Sequence, residues 1–225
     1  MSRYAILHIE KCKPNTYALG RHILRQQQPE NANPDRSHLN VNYITPEGNN
    51  LNAAINNRIR DGYKGKKAIR KDAVKALSII MTGSHDVMKE IESKGSLKSW
   101  VNNAYIWLCD KFGEKNIVTL SLHMDEHTPH LHAVVVPLTK DGRLCAKEVL
   151  GNREKMRNLQ TSFWAMVGRM FRMDRGLKRS RARHTDITEY YTLLKNQDKL
   201  AKLVNLTLDN RQNRYRGKDD PRLGF

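Results

Sequence analysis

His123-Met-Asp-Glu-His-Thr-Pro-His-Leu-His132 is the stretch of sequence that decides the fold, because four of the chain's nine histidines fall within these ten residues. Apolar residues alternate on both sides of it with the period of two that strands show. The upstream apolar residues that share one predicted face are Val118, Leu120, Leu122 and Met124. Since the segment 125–129 between the two runs is short and turn-like, the pattern predicts an antiparallel hairpin.

The predicted hairpin places His123 on the same face as the pair His130 and His132. Three imidazoles that converge in this way form a divalent-metal site with coordination positions left open for water or substrate oxygens. His127 lies in the turn and outside the alternation, so we assign it no part in this site. The alternative is a surface hairpin that is merely rich in histidine.

A helical zinc-protease motif is excluded by the order of residues within the stretch. That motif places two histidines four residues apart on a helix, with a glutamate directly after the first. Here Glu126 follows Asp125, and Pro129 would interrupt the helix.

The composition of the chain bounds its class. With 225 residues the chain can bury one substantial core, and its formal net charge of +17 predicts a polyanionic partner. No apolar run approaches the roughly 18 to 20 residues of a membrane-spanning helix, and no secretory signal is visible. Three widely spaced cysteines, Cys12, Cys109 and Cys145, predict reduced thiols in a cytoplasmic compartment.

Hydrophobic spacing along the rest of the chain predicts alternating strands and helices. Strands are expected at 4–9, in a central position, and at 73–81, buried on both faces, with an extended segment at 37–43. Helices are expected at 17–25, at 50–60 with Asn50 as the N-cap, and at 86–92, 97–112 and 152–175. A basic cluster follows at 178–183, and a further helix is expected from 186 to about 206.

With these segments placed, the chain resembles the Mob/Pre plasmid mobilisation relaxases, the MobV type of the HUH endonuclease superfamily, over most of residues 1–180. The resemblance rests on four segments in order, of which the last is the most specific because His130-Leu-His132 is the element that names the superfamily. The segments are His22-Ile-Leu-Arg25, Asn33-Pro-Asp-Arg-Ser-His-Leu-Asn40, Lys67-Ala-Ile-Arg-Lys-Asp-Ala-Val74 and His123 to His132.

The resemblance implies an α+β fold, with a central antiparallel sheet of about five strands flanked by α-helices. It implies a relaxase or nuclease domain at 1–185, and we expect a basic helical C-terminal extension at 186–225. It also implies a metal-dependent enzyme that makes a site- and strand-specific nick in origin-of-transfer DNA and becomes covalently attached to the 5′ end.

The resemblance also assigns roles within the site. His123, His130 and His132 would hold Mn²⁺ or Mg²⁺, and three nitrogen ligands favour manganese. The family position of the nucleophile falls on His22, whose attack would form a phosphoramidate. Glu126, in the turn beside the metal, is the candidate general base or the residue that orients the site.

Tyrosines leave an alternative open, because most enzymes of the superfamily use a tyrosine nucleophile. The candidates are Tyr17, Tyr43, Tyr190 and Tyr191. A tyrosine nucleophile would make the chain a rolling-circle replication initiator or a transposase-type nuclease. An alternative from another class is a DNA-binding module whose histidines bind metal without catalysis.

Five basic residues are candidates for contacts to the phosphates of the origin strand. They are Arg25, Arg36, Lys67, Arg70 and Lys71. Related chains often have arginine at the position of Lys67. Lysine keeps the positive charge but cannot form the bidentate hydrogen bonds that arginine makes to a phosphate. The expected partners are single-stranded or hairpin origin DNA, a type IV coupling protein, and a second copy of the chain bound through the C-terminal region.

Overall fold

The computed structural model of the protein describes residues 3–12 and 14–176. The strands are β1 (Ala5–Lys11), β2 (Val41–Ile44), β3 (Leu77–Gly83), β4 (Ile117–His123) and β5 (His130–Val135). The helices are α1 (Tyr17–Ile23), α2 (Leu51–Gly62), α3 (His85–Ser93), α4 (Leu97–Phe112), α5 (Ala146–Leu150) and α6 (Arg153–Phe163). The five strands form one antiparallel sheet in the order β1-β3-β5-β4-β2, which confirms the predicted α+β fold with flanking helices.

Both faces of the sheet carry a hydrophobic core. On one face the core includes Trp100 and Trp107 of α4 and Phe163 of α6, together with alternate residues of β3 and β5. On the other face Ile23 of α1 and Ile55 of α2 pack with Val134, Val136 and their neighbours. Since side chains alternate along each strand, β5 contributes Leu131 and Ala133 to the first core and Val134 to the second.

The predicted hairpin is confirmed by the direct pairing of β4 with β5. The prediction was wrong about Val118, which belongs to the second core, whereas Leu120 and Leu122 belong to the first. The register shifts between Ile117 and Thr119, and a bulge of this kind moves the following residue to the other face.

β1 is an edge strand, so the prediction of a central position was wrong. β3 begins at Leu77, four residues later than predicted, and alternate residues such as Ile79 are fully buried while Ile80 is only half-buried. The prediction that both faces of this strand are buried was therefore also wrong. The second face remains partly open near β1, where the side chain of Ile6 is 41% exposed.

α1 and α2 pack against each other at Gly20, where a Cβ atom would approach Cβ of Leu51 to 3.0 Å. This close contact is the reason for a glycine inside a short helix. The predicted N-cap of α2 is confirmed, because Oδ1 of Asn50 accepts a hydrogen bond from the backbone N–H of Ala53. The extended segment predicted at 37–43 is instead a 3₁₀ helix, Pro34–Leu39, followed by β2.

The last described helix ends earlier than predicted. After α6 the backbone continues as a π-helical turn, Trp164–Gly168, and a 3₁₀ turn, Arg169–Phe171. Arg172 then adopts a left-handed conformation with φ of 55°, which ends the helix before 175. Within the described residues, no helix is both long and apolar enough to cross a membrane. The predicted C-terminal helix, the basic cluster 178–183, Tyr190 and Tyr191 lie outside the described residues.

Candidate active site

The histidine hairpin brings the three predicted metal ligands together. His123 is the last residue of β4 and lies directly opposite His130, the first residue of β5. His132 lies two residues further along β5 on the same face. The ring centroid of His123 lies 5.2 Å from that of His130 and 4.7 Å from that of His132. Nε2 of His130 lies 3.1 Å from Nε2 of His132.

Backbone carbonyls orient two of these imidazoles. The Nε2–H of His123 donates to the carbonyl of Ile23 over 2.9 Å, and the Nδ1–H of His130 donates to the carbonyl of Thr128 over 2.8 Å. A carbonyl only accepts, so Nδ1 of His123 and Nε2 of His130 must carry the lone pairs. Hydrogen bonds of this kind set the tautomer and orientation of metal-binding histidines.

The donor set fits a metal ion. Nδ1 of His123 and Nδ1 of His132 are buried, and the described part of the chain offers neither a hydrogen-bond partner. Ligand atoms bound about 2.1 Å from one ion, at angles of about 90° to 110°, lie about 3.0 to 3.4 Å apart. The observed 3.1 Å between His130 and His132 falls in that interval. A divalent ion held by Nε2 of His130 and Nε2 of His132 would also satisfy Nδ1 of His123, which otherwise lacks a partner.

Burial favours the neutral form of His123 and His132, which is the form that binds a metal ion. It lowers the pKa of His123 to about 3, with a further contribution from the positive charge of Arg25. Burial also lowers the pKa of His132 well below its usual value.

His22, the predicted nucleophile, lies next to this cluster near the end of α1. Its ring centroid is 5.1 Å from that of His132 and 5.6 Å from that of His123. Its side chain is 37% exposed, so one side of the ring faces solvent. Burial lowers the pKa of His22, an effect that the negative charge of Glu126 partly opposes. The neutral imidazole that a nucleophile requires is thus favoured.

The carboxylate of Glu126 points into the site, and its side chain is only 8% exposed. Oε1 of Glu126 lies 3.8 Å from Nδ1 of His123, 3.8 Å from Nε2 of His130 and 3.9 Å from Nε2 of His22. Burial acts to raise its pKa, but the interactions of the carboxylate with His130 and Arg25 outweigh burial and leave the pKa below the usual value. The structure therefore places an ionised carboxylate beside the predicted nucleophile and two predicted ligands.

A residue that the sequence did not single out, Asp125, anchors the turn beside Glu126. Its carboxylate is fully buried and accepts two hydrogen bonds from Arg25, of 3.0 and 2.8 Å. Nη2 of Arg25 also contacts Oε1 of Glu126 at 2.7 Å. Burial acts to raise the pKa of Asp125, but the hydrogen bonds from Arg25 and Asn40 hold it at about 2.

The 3₁₀ segment Pro34–Leu39 and its flanking asparagines hold the other side of the turn. Oδ1 of Asn40 accepts from the backbone N–H of Met124 at 2.6 Å, and its Nδ2 donates to Asp125 at 2.7 Å. Nε of Arg36 donates to the carbonyl of Met124 at 2.9 Å, while its Nη2 pairs with Glu92 at 2.6 Å. Asn40 closes a segment that the resemblance picked out, but nothing in the sequence indicated its partners.

The five basic residues predicted to contact DNA divide into two groups. Arg25 and Arg36 have their guanidinium groups engaged by carboxylates and carbonyls of the chain itself. Lys67, Arg70 and Lys71 are exposed in the loop between α2 and β3. Contact with DNA stays a prediction for the five, and the internal contacts of Arg25 and Arg36 favour the three loop residues for it.

The described candidate tyrosines lie on the surface. Tyr17 is 61% exposed, and the guanidinium of Arg21 lies 5.6 Å from its ring centroid. Tyr43 is 45% exposed on β2. Of the candidate nucleophiles in the described part of the chain, His22 is the one whose ring contacts the histidine cluster.

The whole of this domain matches a known protein family. Residues 1–192 match the family model Mob_Pre, described as plasmid recombination enzyme. Plasmid recombination enzyme type 3 of Staphylococcus aureus is 32% identical over 195 residues, which are 83% of this chain and 47% of that protein. Plasmid recombination enzyme of Lactiplantibacillus plantarum is 29% identical over 83% of this chain and 53% of its own length. The chain thus spans about half the length of the curated relatives it matches.

Solved structures with the same fold come from the MobM relaxase domain, of the MOBV or Mob_Pre type, bound to origin-of-transfer DNA of plasmid pMV158. A Mn-bound complex with a 22-nucleotide strand and a 3′ thiophosphate is 27% identical with a TM-score of 0.77, and the match covers 84% of this chain and 98% of that one. A Mn-bound complex with a 23-nucleotide strand is 27% identical with a TM-score of 0.75, over 85% of this chain and 98% of that one.

Proposed function

This chain belongs to the Mob_Pre family of plasmid recombination enzymes, and from that premise we propose that it is a plasmid mobilisation relaxase. It nicks one strand of origin-of-transfer DNA and stays covalently attached to the 5′ end of the nick. The observation that carries the proposal is the contact of His22 with His123 and His132, two of the three histidines that converge on the β4–β5 hairpin.

His123, His130 and His132 would hold the metal ion. Support comes from the nitrogen atoms they direct at one another and from the manganese in the related MobM complexes. When bound, the ion neutralises charge on the non-bridging oxygens of the scissile phosphate. The carbonyls of Ile23 and Thr128 keep two of the rings oriented for this role.

His22 supplies the nucleophile in this proposal. A nitrogen of the neutral ring attacks phosphorus, a P–N bond forms, and the bond from phosphorus to the 3′ oxygen breaks. Glu126, 3.9 Å from Nε2 of His22, takes the proton that the ring loses. The leaving oxygen gains a proton and becomes a 3′ hydroxyl, so the proton count balances. Arg25 orients Glu126 and is a positioning residue, because its guanidinium contacts both Glu126 and Asp125.

The positive surface of the chain binds the origin strand. Lys67, Arg70 and Lys71 are exposed and supply phosphate contacts, in keeping with the net charge of +17. The domain boundary near residue 185, a type IV coupling protein as partner and a dimer formed through the C-terminal region belong to the same proposal. A cytoplasmic location belongs to it as well, and the unpaired state of all three cysteines supports it.

The test is nicking of a supercoiled plasmid that carries the gene for this chain with its flanking DNA, with and without Mn²⁺. We expect one strand to be cut only with the ion, and the activity to be lost in His130→Ala. His127→Ala is the matched control and should keep it, because His127 is exposed and its ring stacks on His85 at 4.0 Å, outside the predicted ligand set. If the wild-type protein binds the DNA but never cuts it, the proposal is wrong and the alternative of a non-catalytic DNA-binding module is supported.

The covalent adduct identifies the nucleophile. A phosphoramidate to histidine is hydrolysed in acid, whereas a phosphate ester of tyrosine survives. Peptide mapping of the trapped adduct should recover the DNA on the peptide that contains His22. Recovery on a peptide with Tyr17, Tyr43, Tyr190 or Tyr191 would support the initiator or transposase alternative.

A further inference from the structure

His22 is placed to act as a metal ligand as well as a nucleophile. One ring nitrogen each from His22, His123 and His132 lie within 4.8 Å of one another, close enough to share an ion. A second set, which shares His123, consists of His123, Glu126 and His130. The cluster therefore offers more donors than the three predicted ligands, and one of the additional donors is the attacking group itself.

The fourth nitrogen of a closed site is also present. His130 lies 3.1 Å from His132, nitrogen to nitrogen, so the set that contains His22 can be completed by His130.

Occupation of the metal by His22 has a direct chemical consequence. A neutral imidazole carries one nitrogen lone pair, and its second nitrogen carries a proton. A ring that gives this lone pair to a metal ion has none left for attack on phosphorus. The same coordination also fills a position that a phosphate oxygen needs.

We propose that the site has a closed state, in which His22 joins His123, His130 and His132 as the fourth ligand of a zinc ion and is thereby masked as a nucleophile. Zn²⁺ favours this state because its closed protein sites are four-coordinate and tetrahedral. Manganese binds more weakly to nitrogen and suits oxygen ligands, so it leaves His22 free and keeps positions for the phosphate. Zinc therefore inhibits the relaxase because it is coordinated by His22, the nucleophile of the enzyme. This inference rests on the proposed function.

Zinc affinity tests the proposal without reference to activity. The full chain, its His22→Ala variant and the control His127→Ala compete for Zn²⁺ with a chromophoric chelator. We expect His22→Ala to bind zinc roughly 10-fold or more weakly, because removal of even the outer partners of metal-bound histidines costs about 10- to 100-fold in affinity. Manganese affinity, followed by electron paramagnetic resonance, should change by less than about threefold. Equal zinc affinity in His22→Ala and the wild type would overturn the proposal.

A second measurement uses the unaltered protein and does not depend on how the variant folds. Diethyl pyrocarbonate modifies free imidazole nitrogens, and mass spectrometry of the peptides reports each histidine. Zinc should protect His22 from modification, manganese should leave it reactive, and His127 should react equally in both. Modification of His22 at the same rate with zinc as with manganese would contradict the closed state. Absence of Mn²⁺-dependent nicking, by contrast, would refute the proposed function. The two zinc measurements would still show whether His22 binds zinc, because neither depends on activity.

Discussion

Arg25 and Asp125 lie one hundred residues apart in the chain and form a buried, two-pronged ion pair. Arg25 adopts a left-handed conformation, with φ of 51°, two residues after the end of α1. Such a conformation is uncommon for a residue other than glycine and persists where surrounding contacts hold it. The pair joins the helix that carries His22 to the turn that carries Glu126, so the relative position of the proposed nucleophile and the proposed base depends on it.

Removal of Arg25 should destabilise the fold strongly. Arg25→Ala leaves the carboxylate of Asp125 buried without its cation, and a broken buried pair costs about 3 to 5 kcal/mol. The control is Arg60→Ala, which breaks a pair whose side chains are 72% and 62% exposed and should cost less than about 1 kcal/mol. Urea denaturation measures both. Similar losses in the two variants would show that the buried pair has no special role.

Asn40→Asp should be more harmful than Asn40→Ala, although aspartate has nearly the shape of asparagine. Alanine loses two hydrogen bonds, at a cost of about 1 to 3 kcal/mol, since their partners are left unsatisfied. Aspartate keeps the acceptor for Met124 but directs a second negative charge at Asp125. Thermal denaturation ranks the variants, with Asn42→Asp on the exposed part of β2 as control. The idea fails if Asn40→Asp is as stable as the wild type.

The metal-free protein should lose stability as the pH falls below about 6.5, in part through His123. The pKa of this imidazole is about 6.5 in an unfolded chain and about 3 in the fold, so the unfolded chain binds the additional proton between these values. The contribution is therefore complete above pH 6.5 and declines toward pH 3, by about 1.4 kcal/mol per pH unit. Urea titrations in a chelator at pH 7 and pH 5 should show a smaller decline for His123→Gln than for the wild type. Asn42→Gln, an uncharged exposed control on β2, should decline as the wild type does.

Manganese should stabilise the folded protein by mass action. At a free concentration of about 100 times the Kd, the free energy of unfolding should rise by about 2.7 kcal/mol. The increase should vanish in His132→Ala, which removes a buried ligand, and remain in His127→Ala. Thermal melting with and without the ion measures it. An increase of equal size in His132→Ala would place the ion elsewhere.

The salt dependence of DNA binding should separate the two groups of basic residues. Each of Lys67→Ala, Arg70→Ala and Lys71→Ala should lower the slope of log affinity against log salt by about 0.7 for single-stranded DNA, if each side chain neutralises one phosphate. Arg36→Ala should leave the slope unchanged, because its guanidinium is bound to Glu92 and to the carbonyl of Met124. Lys98→Ala, an exposed lysine of α4, is the control. Unchanged slopes for all three loop variants would contradict the predicted contacts.

Periodicity and motif spacing predicted the parts of the chain that depend on local order. The hairpin, the common face of its histidines and the cap at Asn50 follow from alternation, turn residues and capping chemistry. The errors fall where nonlocal packing decides the outcome. A bulge moved Val118 to the other face, and the place of β1 at the sheet edge depends on which strands it pairs with.

The sequence by itself determined which residues carry the proposed chemistry: the imidazoles that can bind a metal, the histidine at the family's nucleophile position, and a strand pair that presents three of these imidazoles. Only the tertiary structure decided how that chemistry is held in place. Three contacts join segments that are distant in the chain: the ion pair of Arg25 with Asp125, the hydrogen bond from Asn40 to Asp125, and the ring contact of His22 with His132. Hydrogen bonds of this kind depend on the distances and angles that the packed core imposes, and no local pattern of residues encodes them.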